Sequence, residues 1–236
     1  MRKKLFRYWI ILLPVTAVLF WYPINNLPLR IGLLASAFGV WAGGLFFGRR
    51  NKLFCGGLLV FTLLAAVILL CPGKNYDRKQ LRDSYVHALQ SFEGTRYIWG
   101  GENKLGIDCS GLVRAGLIRA SFHESIRTMN PKLTRLALSL WWHDASAEAL
   151  GHEYRQQTKH ELTAVNLNEL EPNQIMPGDL AVTVSGVHIM AYLGDSKWIE
   201  ADPDLSRVVI VQVPERHNPW FQETFNLLRW RALDVE

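Results

Sequence analysis

The sequence predicts an α+β domain tethered to a bilayer by three N-terminal transmembrane helices. Three observations predict it. Residues 1–73 contain three charge-free runs, 8–29, 31–48 and 53–73, each long enough to span a hydrocarbon core. Beyond Pro72-Gly73 the charge density rises and apolar residues recur at helical spacing. From Met176 the pattern changes to period two, so helices precede strands along the chain, the order of an α+β fold.

Charge divides the chain at the same place. The formal net charge is +5 over 236 residues. Residues 1–73 carry eight Lys/Arg and no acid, whereas the remainder carries a net charge of −3. The basic balance therefore belongs to the membrane end, and it excludes nucleic acid as a partner, which requires a basic face on the folded domain. The three cysteines, Cys55, Cys71 and Cys109, form no CxxC pair, and the first two lie in apolar runs. Neither a disulfide framework nor a metal site is expected, and no cofactor is called for.

The membrane domain is expected over residues 1–73, with spans at about 8–28, 31–48 and 53–72. The opening Met-Arg-Lys-Lys resembles a signal peptide, but no small-x-small cleavage site follows Trp21-Tyr22-Pro23. Pro14 is placed to kink the first span, and Gly39, Gly43 and Gly44 allow close helix contact in the second. Arg2, Lys3, Lys4 and Arg7 flank the first span, and Arg49, Arg50 and Lys52 fill the second connection; the first connection holds only Arg30. The positive-inside rule puts the N-terminus and the second connection in the cytoplasm and residues 74–236 outside. Lys74, Arg78, Lys79 and Arg82 add opposing charge on the exit side.

In the second half, 78–91 reads as an amphipathic helix with Leu81, Tyr85, Ala88 and Leu89 on one side. A glycine-rich loop, Tyr97-Ile-Trp-Gly-Gly, then leads to Asp108-Cys-Ser-Gly-Leu-Val, where Leu112, Val113, Leu117 and Ile118 form a buried helical stripe. Cys109 falls at the start of that helix, where the macrodipole favours a thiolate. It reads as a nucleophile; the alternative is a buried structural cysteine. Pro131 starts a further helix bearing Leu133, Leu136, Leu140 and Trp141. Trp141-Trp142-His143 reads either as a substrate groove or as core or interface. A helix around 145–157 follows, then strands at 179–184, 187–193, 197–201, 207–213 and 227–233, with Gly186 and Gly194-Asp195-Ser196 at turns.

Four elements together resemble the NlpC/P60 family of papain-like cysteine peptidases: Tyr97-Ile-Trp-Gly-Gly, Asp108-Cys-Ser-Gly-Leu-Val, Met176-Pro-Gly-Asp-Leu and Val187-His-Ile-Met-Ala-Tyr-Leu-Gly. The resemblance covers roughly 80–236, and Cys precedes His as in the non-permuted branch. It implies a papain-like domain over 74–236 with N-terminal helices packed on an antiparallel sheet. It makes Cys109 the nucleophile and His188 the base. The third, orienting position, commonly His in the family, is occupied by Glu200, whose carboxylate can accept the other imidazole N–H and stabilise imidazolium. Asp108 and Ser110 fall near the substrate's free amino group, or cap the Cys109 helix. The Tyr97 hydroxyl is a candidate oxyanion donor beside the Cys109 backbone N–H, or a packing residue. The long Cys109–His188 separation places extra residues within 121–170, able to cap the groove. The implied protein is a bacterial, multi-pass inner-membrane peptidase or amidase facing the periplasmic or extracellular side and acting on peptidoglycan stem peptides. A thiol hydrolase or acyltransferase on lipid or protein, and an inactive binding module, are the alternatives.

Overall fold

The computed structural model describes residues 2–234. Three helices lead the chain: α1 (Arg2–Trp21), α2 (Leu27–Gly48) and α3 (Lys52–Leu70), each long and apolar enough to cross a membrane. The glycines of α2 do what their spacing suggests. A Cβ on Gly43 would overlap the Trp9 ring, whose Nε1–H donates to the Val40 carbonyl at 3.0 Å. The boundary between the first two helices differs from the expectation. α1 ends at Trp21, not near 28, because Pro23 disfavours helix at the residue before it. Asn26 then caps α2, its side chain accepting from Leu29 N–H at 3.1 Å. Arg30, expected in a connection, consequently lies in the first turn of α2, where it is 1% exposed.

The second half begins with α4 (Arg78–Gln90), capped by Asp77, followed by a two-stranded hairpin, β1 (Glu102–Asn103) and β2 (Gly106–Ile107). The helices α5 (Cys109–Thr128) and α6 (Pro131–Trp142) pack on one another, and the short α7 (Ala147–Gly151) replaces the longer helix expected around 145–157. Six strands form one antiparallel sheet: β3 (Thr158–Ala164), β4 (Leu180–Thr183), β5 (Ile189–Gly194), β6 (Lys197–Asp202), β7 (Arg207–Gln212) and β8 (Phe225–Trp230), in the order β3-β8-β4-β5-β6-β7. β3 escapes the sequence pattern because it is an edge strand with a bulge between His160 and Leu162, which breaks its alternation.

Alternation elsewhere divides the core. Ile189, Ala191, Ile199 and Leu228 face α4 and α5, with Leu89, Leu112 and Val113. Met190, Tyr192, Trp198 and Leu227 face the opposite side, under Phe221 of the 3-10 turn Pro219–Gln222. Side chains of β6 thus reach both layers, and the second layer carries Glu200.

The helical region and the domain meet through a dense polar junction. The α1–α2 turn runs antiparallel to the loop before β1: Asn25 N–H donates to Gly100 O at 3.1 Å and Glu102 N–H to Pro23 O at 2.9 Å, with Ile24 bridged to Gly101. Glu102 accepts from Asn25 Nδ2 at 2.5 Å and from Arg30 Nη2 at 3.1 Å, and it also pairs with Arg114. Arg114 continues to Asp144 at 2.6 Å. The covered Arg30 and Arg114 thus share the covered Glu102, and the half-exposed Asp144 supplies the second negative charge.

Candidate active site

Cys109 is the first residue of α5, and Asp108 is its cap. One carboxylate oxygen of Asp108 accepts from Gly111 N–H at 2.6 Å and from the Ser110 hydroxyl at 3.1 Å; the other accepts from Gly100 N–H at 2.7 Å. Asp108 N–H in turn donates to Gly101 O at 3.1 Å. The glycines follow from this close approach. Gly100 sits at φ +74°, and a Cβ on Gly111 would overlap the Gly101 carbonyl oxygen. Of the two readings of Asp108 and Ser110, the helix cap is the one their hydrogen bonds display. Burial raises the Asp108 pKa above the usual carboxylate value, against the pull of its donors from Gly111, Gly100 and Ser110. Asp108→Ala is expected to cost about 1–2 kcal/mol through the lost cap, read as a lower midpoint in thermal unfolding, with Asp108→Asn retaining much of it.

His188 precedes β5 and is clamped at its backbone. Its N–H donates to the Thr183 hydroxyl at 3.1 Å and its carbonyl accepts from Thr183 N–H at 3.0 Å. Nε2 lies 2.6 Å from a Glu200 carboxylate oxygen across the β5–β6 hairpin. With Nε2 committed to Glu200, Nδ1 is the ring nitrogen left for a second partner. The three groups are 7%, 1% and 0% exposed for Cys109, His188 and Glu200, so the line of thiol, imidazole and carboxylate is screened from bulk water. Burial alone would pull the His188 pKa down. The nearby Cys109 and the hydrogen-bonded Glu200 carboxylate outweigh it and hold the imidazolium up to about 9.

Two further residues complete the surroundings. Asn218 Nδ2 donates to the second Glu200 oxygen at 2.5 Å, and the Trp220 ring stacks on His188 with centroids 4.3 Å apart and planes 20° apart. Sequence reasoning missed both. Asn218-Pro219 signals a turn, but nothing in its spacing connects that turn to a carboxylate 18 residues earlier. Tyr97 lies close to the site. Burial, then the charge of Cys109 and Asp108, push its phenol above the ordinary value, so it keeps its proton at neutral pH. The Val187 carbonyl is 4.0 Å from Cys109 Sγ. Trp141 lies at the junction, with the Arg30 guanidinium 5.8 Å from its ring centre, and lines a cleft of about 530 Å³ between α1 and α5 that neither Cys109 nor His188 lines. α6 thus packs between α5 and α3. Among the described residues, no three His, Cys, Asp or Glu side chains converge as a metal site.

A thiol at a helix N-terminus stands beside an imidazole that precedes β5 and is backed by a carboxylate, the set of groups that thiol-nucleophile chemistry uses. The sequence of this chain matches the model of the NlpC/P60 family over residues 94–229, and the chain belongs to that family. Solved structures with a similar chain path include NlpC2 from Trichomonas vaginalis, at 15% identity and a TM-score of 0.41, covering 66% of this chain and 49% of that one. The P60 domain of an antigen from M. avium subspecies paratuberculosis has 18% identity and a TM-score of 0.40, covering 67% and 98%. The peptidoglycan hydrolase RipB from Mycobacterium tuberculosis has 18% identity and a TM-score of 0.44, covering 91% and 93%. The chain thus spans about half the length of the Trichomonas protein. No curated protein matches it.

Proposed function

We propose that this protein is a membrane-anchored cysteine hydrolase that cleaves amide bonds in peptidoglycan stem peptides. The observation that carries the reading is the buried Cys109 beside Val187-His188, with His188 hydrogen-bonded to Glu200 at 2.6 Å, in a chain of the NlpC/P60 family. Cys109 thiolate attacks the amide carbon, and the His188 imidazolium gives its proton to the leaving amine. Water deprotonated by His188 then releases the acyl group from the thioester. Glu200 fixes the imidazole tautomer and stabilises its charged form, and Asn218 holds Glu200. The Cys109 backbone N–H and the Tyr97 hydroxyl stabilise the oxyanion. Asp108, beside the nucleophile, offers negative charge to a substrate ammonium, and Ser110 flanks the same edge.

The three apolar helices divide the chain into a multi-pass anchor, residues 1–73, and a catalytic domain, 74–236. The α1–α2 turn and the end of α3 both meet the domain, whereas Arg49, Arg50 and Lys52 lie at the far ends of α2 and α3. That arrangement favours a catalytic domain on the non-cytoplasmic side, facing the cell wall. The test is incubation of the detergent-solubilised full chain with purified muropeptides, beside Cys109→Ser, with products read by mass spectrometry. A product absent from the variant is expected and identifies the bond; a folded protein that leaves every muropeptide intact overturns the substrate assignment.

A further inference from the structure

We propose that the α1–α2 turn and Arg30 act as a positioning element for the nucleophile, so that the membrane anchor completes the active site rather than only tethering it. The inference deepens the hydrolase reading and rests on it for the turnover arm alone. The path from anchor to thiol is short. Arg30 donates to Asn25 Oδ1 at 3.0 Å, to the Asn25 carbonyl at 2.8 Å and to the Trp142 carbonyl at 3.2 Å, besides its pair with Glu102. Asn25 and Pro23 hold Gly100 and Glu102 through backbone hydrogen bonds of 3.1 and 2.9 Å. The loop so held supplies Gly100 N–H to Asp108 and Gly101 O to the Asp108 N–H. Asp108 caps the helix that Cys109 begins.

The catalytic loop is therefore enclosed between two elements. One face lies against the start of α5, so closely that Gly111 admits no side chain. The other face is paired with the α1–α2 turn. The side chains of Glu102 and Arg114 are largely covered within the domain, and Arg30, which accompanies them, comes from the anchor. A loop with unpaired backbone on one side and a carboxylate short of a partner has more than one position available. Displacing Gly100 moves the cap, and moving the cap moves Cys109 relative to His188. Anything that shifts α1 against α2 is transmitted to the thiol by this route.

The experiment uses the full chain in detergent micelles and two readouts. One is the pH profile of iodoacetamide alkylation at Cys109, resolved from Cys55 and Cys71 by peptide mass spectrometry; the other is kcat and KM on muropeptides. Arg30→Gln is expected to lower kcat and Cys109 alkylation at neutral pH by roughly ten- to hundredfold and to change KM far less. Arg30→Lys restores the charge without the planar fork and is expected to recover part of the loss. Asn25→Ala, which removes no charge, carries the test if Arg30→Gln does not fold. Arg135→Ala cuts a junction contact at the end of α3, to the Leu69 and Cys71 carbonyls at 2.9 and 2.7 Å, and is expected to leave both readouts unchanged. Equal losses in Arg135→Ala and Arg30→Gln, or wild-type alkylation in both Arg30→Gln and Asn25→Ala, overturn the proposal. If the wild-type protein cleaves no muropeptide, the cell-wall reading fails and the alkylation profile alone decides this one.

Discussion

Cys109→Ser is expected to lower turnover by roughly 10⁴–10⁶-fold, the scale seen when a covalent nucleophile is removed, while the protein stays folded. A serine hydroxyl fits the space of the thiol but does not ionise beside an imidazole as readily, so the attacking species is lost. The substitution has a second signature. Cys109 is one of the two partners that lift the His188 pKa to about 9. With the thiol gone, the His188 titration, followed by ring proton chemical shifts in selectively labelled protein, is expected to move down. An unchanged His188 titration would show that thiol and imidazole are not coupled, and turnover retained in the variant would remove Cys109 from the nucleophile's position.

Glu200→Gln is expected to have the next largest effect, roughly 10²–10⁴-fold on kcat, by analogy with carboxylate-to-amide changes behind a catalytic histidine. Its oxygens receive Asn218 at 2.5 Å and His188 at 2.6 Å, so the amide satisfies only part of the pattern and leaves no charge opposite the imidazolium. The pH dependence fixes the sign. The folded pKa of His188 is raised from 6.5 to about 9, so its stabilising contribution is fully present below about 6.5 and is lost as pH rises through 9. The thermal midpoint of the wild-type protein is expected to decline across that window, and the alkaline limb of kcat/KM to fall near 9. In Glu200→Gln both features are expected to shift to lower pH. Identical wild-type and variant profiles would detach Glu200 from the imidazole's protonation.

The geometry also shows which parts of such a site a sequence makes visible. Cys109 and His188 stand in compact local motifs, and Glu200 follows from a hairpin whose turn, Gly194-Asp195-Ser196, sets the offset between β5 and β6. Each of these is a short-range inference. Asn218 and Trp220 come from a 3-10 turn folded over the second face of the sheet, and only tertiary packing brings them to Glu200 and His188. The fold class and most strands were legible because β4 to β8 alternate on two buried faces; β3, a bulged edge strand, was not. The anchor–domain junction was the least legible part. Arg30 and Glu102 are 72 residues apart, and a single arginine among apolar residues reads as a break between spans until its buried carboxylate partner is known.

The separation of Cys109 from the other cysteines bears on its chemistry with oxidants. At 7% exposure the thiol is largely covered. The other two cysteines, Cys55 and Cys71, lie on or at the end of α3, so no neighbouring thiol on α5 is available to trap a sulfenic acid as a disulfide. A sulfenic acid at Cys109 thus has no second cysteine of α5 to return it through a disulfide, and sulfinic acid beyond it is not reversed by thiols.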